Sequence, residues 1–129
     1  HTNIWAQMLT YRFLTNVDFD EHLKKLQAIY RHKCHLMLGG LEKELPDFIS
    51  FTHPQGGLFI WATLPDKYDM NAFCKGAVER KVAVVPGNAF CSDESAVSHS
   101  FRLNFSTPTD EQIEKGVKIL GAAAKELLK

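Results

Sequence analysis

Arg102 sits in the stretch SHSFRLNFSTP, residues 98–108, where residue types alternate with a period of two. Phe101, Leu103 and Phe105 fall on one face of this predicted strand, and Ser100, Arg102, Asn104 and Ser106 on the other. An arginine in the middle of a polar face presents a planar fork of N–H donors. That fork matches a carboxylate with two parallel hydrogen bonds, which an ammonium group does not do. Its small polar neighbours leave room for such an anion. A solvated cation, or one half of a structural ion pair, fits the same pattern, so the residues alone leave both roles open.

Other chemistry-bearing residues are sparser. HKCH at 32–35 puts His32 and His35 one helical turn apart with Cys34 between them. A metal site needs three or four converging ligands, and no second cluster completes this one, so two surface histidines beside a core cysteine are expected and no metal. PGNAF at 86–90 follows an apolar run. Pro86 fixes φ and Gly87 opens conformations that other residues avoid, which makes a turn. In the simplest reading Phe90 plugs the core; alternatively the turn aims Phe90 or backbone N–H groups at a pocket. The chain has no phosphate-cradling P-loop, no dinucleotide fingerprint and no nucleophile elbow. NFS at 104–106 matches a glycosylation sequon, but it falls inside a predicted strand.

Composition narrows the class. At 129 residues, with 45% apolar and 23% charged residues, the chain has the length and balance of one globular domain. Fifteen basic residues offset fifteen acidic ones, and no basic cluster marks a nucleic-acid footprint. Apolar runs such as GGLFIWA are too short to span a bilayer, and no leader segment is visible. Three scattered cysteines, Cys34, Cys74 and Cys91, suit free thiols in a reducing, cytoplasmic setting.

The elements that must position these residues follow from periodicity. Residues 3–15 read as a helix with apolar groups around much of its circumference. A longer helix starts after NVDFD, with Asp18 or Asp20 as cap, and buries Leu23, Leu26, Tyr30, Cys34, Met37, Leu41 and Leu45 at spacings of three and four; Pro46 stops it. Phe48–Thr52 and Gly57–Leu64, joined by HPQGG, read as an antiparallel hairpin. A helix over about 70–80, capped by Asp69 and weakened by Gly76, precedes a short buried strand, VAVV at 82–85. The last helix opens with a capping box, Thr109 and Gln112, and buries Ile113, Val117, Leu120, Ala124 and Leu127. The expected class is α+β: helices packed on a small, mostly antiparallel sheet in two layers.

Taken in order, PQGGLFIW at 54–61, VAVVPGNAF at 82–90 and SFRLNFSTPTDEQIEKGVKIL at 100–120 resemble the C-terminal segment of class I/II aminotransferases, pyridoxal-phosphate enzymes of fold type I. HLKKLQAIYRHKCHLMLGGLEKEL is similar to the helix that links the large and small domains in that family, here at about 19–45. The nearest likeness is to the aminoadipate- and kynurenine-type branch of broad specificity. The resemblance implies that residues 1–129 are the small domain with its linking helix, and that Arg102 holds the α-carboxylate of an amino-acid substrate. It further implies that Asn104 lines the substrate cleft and that Thr2 or Asn3 approaches the cofactor phosphate across a homodimer interface. The implied reaction moves an amino group from an amino acid to a 2-oxo acid through pyridoxal 5'-phosphate. The Schiff-base lysine motif of the family, the Gly-x-Arg-x-Gly-type stretch and the aspartate facing the pyridine nitrogen do not occur here. The chain alone is therefore expected to be an inactive fragment that binds no cofactor covalently. Another fold type I reaction, C–S lysis or decarboxylation, and a free-standing carboxylate-binding module are the alternatives.

Overall fold

The computed structural model describes residues 2–93 and 96–129. The chain forms two compact units, His1–His32 and Lys33–Lys129. Helix α1, Ile4–Asn16, is capped by Asn3, whose Oδ1 accepts from Ala6 N at 3.2 Å. Its sequence is apolar on most sides, and none of its residues is buried; Trp5, Leu9 and Tyr11 all stand exposed. Helix α2 runs Phe19–Glu44. Asp18 starts it by accepting from Glu21 N at 3.0 Å, the N-cap geometry that satisfies an otherwise orphan donor. Phe13 meets Phe19 and His22 edge-on, with centroids 6.3 and 5.4 Å away.

The second unit holds the sheet. Strands β1 (Ser50–Phe51), β2 (Phe59–Thr63), β3 (Val85–Pro86) and β4 (Ser100–Asn104) lie in the order β1-β2-β4-β3, every neighbouring pair antiparallel. Helix α3 (Met70–Glu79) follows β2, and α4 (Asp110–Leu127) follows β4. The fold is α+β, as the periodicity implies. Buried Ile60, Ala62 and Leu64 alternate with half-buried or exposed neighbours along and just past β2, as Phe101, Leu103 and Phe105 do along and just past β4. Their shared face packs on α3 and α4: Phe73 meets Phe101 with ring centroids 5.4 Å apart. Ile113, Val117, Leu120, Ala123 and Ala124 are buried along α4, and Cys34, Met37 and Leu41 along α2.

Several expected boundaries move. The hairpin strands are shorter than their apolar runs, because Phe48 and Gly57 lie outside the ladder. Only Val85 of the VAVV run is strand. The reason is the end of α3: Lys81 adopts φ 67° and Val82 N donates back to Ala77 O at 3.0 Å, a left-handed cap that uses up the start of the run. Leu127 is 41% exposed and Leu128 takes its buried place, since the helix ends there. Leu23, expected on the buried stripe of α2, is likewise exposed. Gly76, a helix breaker by propensity, is buried where α3 meets Leu127, whose Cδ1 would stand 2.5 Å from a Cβ at that position. The capping box on α4 is present in both directions, Thr109 N donating to Gln112 Oε1 at 2.9 Å and Gln112 N to Thr109 Oγ1 at 3.3 Å. Among the described residues no helix is long and apolar enough to cross a membrane.

Two glycines of α4 should respond in opposite directions to the same change. A Cβ at Gly121 would come within 2.6 Å of the backbone oxygen of Glu44, so Gly121→Ala must push α4 away from α2 and should cost about 2 kcal/mol. Gly116 faces open space, so Gly116→Ala should gain about 0.5–1 kcal/mol of helix propensity. Urea denaturation midpoints measure both; equal shifts of the same sign would contradict this packing.

Candidate functional site

The side of the sheet turned away from α3 and α4 carries the candidate chemistry. Arg102 lies at the centre of β4, opposite Trp61 of β2 and Val85 of β3. Phe59 pairs with Asn104 and is therefore the diagonal neighbour of Arg102 on the same face. The Arg102 guanidinium carbon stands over the Phe59 ring at 3.9 Å and over the Phe90 ring at 4.5 Å. Phe90 reaches it through the PGNAF turn, a short 3-10 helix over Gly87–Phe90. A Cβ at residue 87 would collide with Ser98 Oγ and come within 2.6 Å of Ser100 O, so only glycine lets this turn lie flat on the start of β4. Phe90 does not plug the core: it is 48% exposed, and its ring meets Trp61 edge-on at 5.5 Å.

Arg102 Nε is buried without a hydrogen-bond partner, and among the described residues no carboxylate or acceptor meets the guanidinium. A cation held against aromatic faces, with its donors unspent, can take an anion in a partly desolvated setting, where charge-assisted hydrogen bonds are strongest. The polar neighbours on this face are spent locally. Ser100 Oγ pairs with Thr63 Oγ1 at 2.9 Å. Asn104 Oδ1 accepts from Ser106 N and Ser106 Oγ, both at 2.8 Å, and Asn104 Nδ2 donates weakly to Thr107 at 3.4 Å. Asn104 thus shapes the exit from β4. Lys33 completes that exit, donating to Ser106 O at 3.0 Å and to Pro108 O at 2.6 Å. Thr2 accepts from the Gln7 amide, and Asn3 caps α1.

The aromatic surround of Arg102 is the feature that its own stretch does not reveal. Alternation in GGLFIWATL does place Phe59 and Trp61 on the face opposite Ile60 and Ala62. Pairing β2 with β4 in register is what brings them beside Arg102.

A family model described as aminotransferase class I and II matches residues 5–120. The chain belongs to that family. It is 36% identical over 128 residues to the aromatic-amino-acid aminotransferase 1 of Thermococcus litoralis, a match covering 99% of this chain and 30% of that protein. It is similar to the solved alpha-aminoadipate aminotransferase of Thermus thermophilus, with a TM-score of 0.91, 36% identity, and coverage of 99% of this chain and 32% of that one. The kynurenine aminotransferase of Pyrococcus horikoshii gives a TM-score of 0.91 at 34% identity, covering 99% and 31%. The chain therefore spans less than a third of the length of these aminotransferases.

In this member of the family most of the remaining reactive groups are exposed, committed or buried. Every lysine but Lys33 is exposed, and Lys33 is committed to two backbone carbonyls. His35 is exposed on α2 while Cys34, beside it, is buried. Burial pushes the Cys34 thiol up, and that of Cys74 to about 11. Cys91, next to Phe90, is only half-buried, its thiol 3.7 Å from Gly87 O. Iodoacetamide at pH 8 should accordingly label Cys91 while Cys34 and Cys74 react only on unfolding, as peptide mapping can establish. A Cys74 labelled as fast as Cys91 in the folded chain would contradict the packing of α3.

Proposed function

We propose that this chain is the small-domain part, with its linking helix at about 19–45, of a pyridoxal-phosphate-dependent aminotransferase, and that Arg102 binds the α-carboxylate of its substrate. The parent reaction moves an amino group from an amino acid to a 2-oxo acid. One observation carries the role of Arg102: a mid-strand guanidinium held against two aromatic faces, with no protein anion to neutralise it among the described residues. A fixed guanidinium contributes by orienting the substrate, so that the bonds at its α-carbon present themselves correctly, and it moves no proton itself.

The relatives support the cofactor. The solved Thermus thermophilus aminotransferase is complexed with N-(5'-phosphopyridoxyl)-L-leucine, a joined cofactor and amino acid. The residues of this chain do not fit that group as a covalent site. Its lysines other than Lys33 are exposed, and none sits in the apolar pocket that activates a nucleophilic lysine. We therefore assign the Schiff-base lysine to other parts of the parent, and the isolated chain no transamination. Asn3 keeps its amide N–H2 group for a cofactor phosphate, with Thr2 beside it, across the interface of a homodimer. Asn104 supports the cleft by holding the exit of β4.

Three experiments test this reading. Titrating the chain with glutarate should move the side-chain N–H signals of Arg102 in an NMR spectrum, and Arg102→Lys should abolish the response. In the full-length enzyme that carries this chain, the same substitution should lower kcat/KM about 100-fold, roughly 2.7 kcal/mol, by losing the bidentate fork. A wild-type chain indifferent to glutarate would remove the carboxylate role. Mixing the chain with pyridoxal phosphate and reducing with borohydride should spread label thinly over several exposed lysines. A single lysine labelled to full stoichiometry would show that a covalent cofactor site exists here after all.

A further inference from the structure

We infer that Phe59 and Phe90 are positioning residues for Arg102, and that together they restrict it to end-on recognition of a planar carboxylate. The inference rests on the carboxylate role proposed above and goes one step further, to what sets the orientation and selectivity of that arginine.

Free arginine side chains swing about several bonds, and an anion site built on one loses precision unless something fixes the plane of the fork. Here two rings arrive from either side of β4, one from a strand and one from a turn. Phe59 comes from β2 along the diagonal of the Phe59–Asn104 and Trp61–Arg102 pairs. Phe90 comes from the turn after β3, seated by the close approach of Gly87 to Ser98 and Ser100, and braced by Trp61 at 5.5 Å. Each ring presents its face to the guanidinium, at 3.9 and 4.5 Å from the central carbon, which is the geometry of cation–π attraction.

A guanidinium has two edges that can grip a carboxylate: the side formed by Nε with one Nη, and the end formed by the two Nη atoms. Nε is buried and unpaired in Arg102, so the side edge is closed to a ligand. Two rings lie against the guanidinium carbon. What remains is the end edge, whose two parallel N–H vectors match the two oxygens of a planar carboxylate. A tetrahedral anion of similar charge, such as a phosphonate or sulfonate, meets the same edge with a third oxygen out of plane and against the rings. The proposed class of ligand is therefore a planar carboxylate, bound end-on.

The test is an NMR comparison of the chain with Phe90→Leu, Phe90→Tyr and Phe59→Leu. Both phenylalanines are partly exposed, so these variants should fold, which the amide spectrum verifies. In the wild-type chain, Arg102 Nε–H should exchange with water about tenfold more slowly than Nε–H of the exposed Arg31 and carry an upfield ring-current shift. Phe90→Leu and Phe59→Leu, which keep apolar bulk but remove an aromatic face, should lose most of that shift and weaken glutarate binding several-fold. Phe90→Tyr, which keeps the face, should restore both. Methylphosphonate should bind several-fold more weakly than acetate to the wild-type chain, and the two should converge in Phe90→Leu. If glutarate binds the wild type and Phe90→Leu equally well, the positioning role is wrong and the carboxylate role survives. If Arg102 shows the protected, shielded Nε–H but ignores glutarate, the carboxylate role fails and takes this inference with it. An Arg102 Nε–H that exchanges as fast as that of Arg31 overturns the clamp directly.

Discussion

The antiparallel pairing of β2 with β4 is the constraint on which the second unit depends. Five residue pairs in register, from Phe59–Asn104 to Thr63–Ser100, align two alternating sequences so that both apolar sets fall on one face. A slip of one residue would turn Phe101 and Leu103 outward and bury Arg102. Burial of Phe101 and Phe73 against one another, and of Ile60, Ala62 and Leu103 nearby, is what makes that slip costly. The same pairing, read from its other side, sets Phe59 and Trp61 beside Arg102. Core and candidate site are thus two faces of one ladder.

The strand needs firm ends if its centre is to hold a side chain in place. At its start, the turn over 87–90 lies against Ser98 and Ser100 because residue 87 has no side chain. At its exit, Asn104 folds back onto Ser106, and Lys33 of α2 gathers the carbonyls of Ser106 and Pro108. Thr109 and Gln112 then begin α4 at once. Hydrogen bonds of this kind are individually worth about 1 kcal/mol. Here they are spent within a few residues of β4, which keeps Arg102 on a rigid element and not on a loop.

How much of this was legible beforehand depended on range. Local signals carry straight into the structure: Asp69 and Thr109 as caps, alternation in SFRLNF, and the three-and-four spacing through Cys34, Met37 and Leu41. Family membership was legible too, because several loose motifs stood in the right order. Structure and local pattern part where that pattern meets a distant partner. VAVV has strand propensity, but the left-handed cap at Lys81 draws Val82 back to α3. Phe90 has the composition of a core residue, yet the turn places it on the outer face of the sheet. Gly76 reads as a weakness in a helix, and is instead the point where α3 admits Leu127. Small polar neighbours in the sequence suggest room around Arg102, yet its closest company is aromatic.

Helix and strand preference, the starts of the helices, the apolar side of each strand and the family to which the chain belongs are all written in the order of its residues. These depend on spacing and on contacts within a few residues, which the chain encodes directly. What surrounds Arg102 is settled by folding alone. Its rings come from residues 59 and 90, remote from it in the chain, and its Nε is buried. Such a setting has no local signature, because it exists only once the strands have chosen their neighbours and their register.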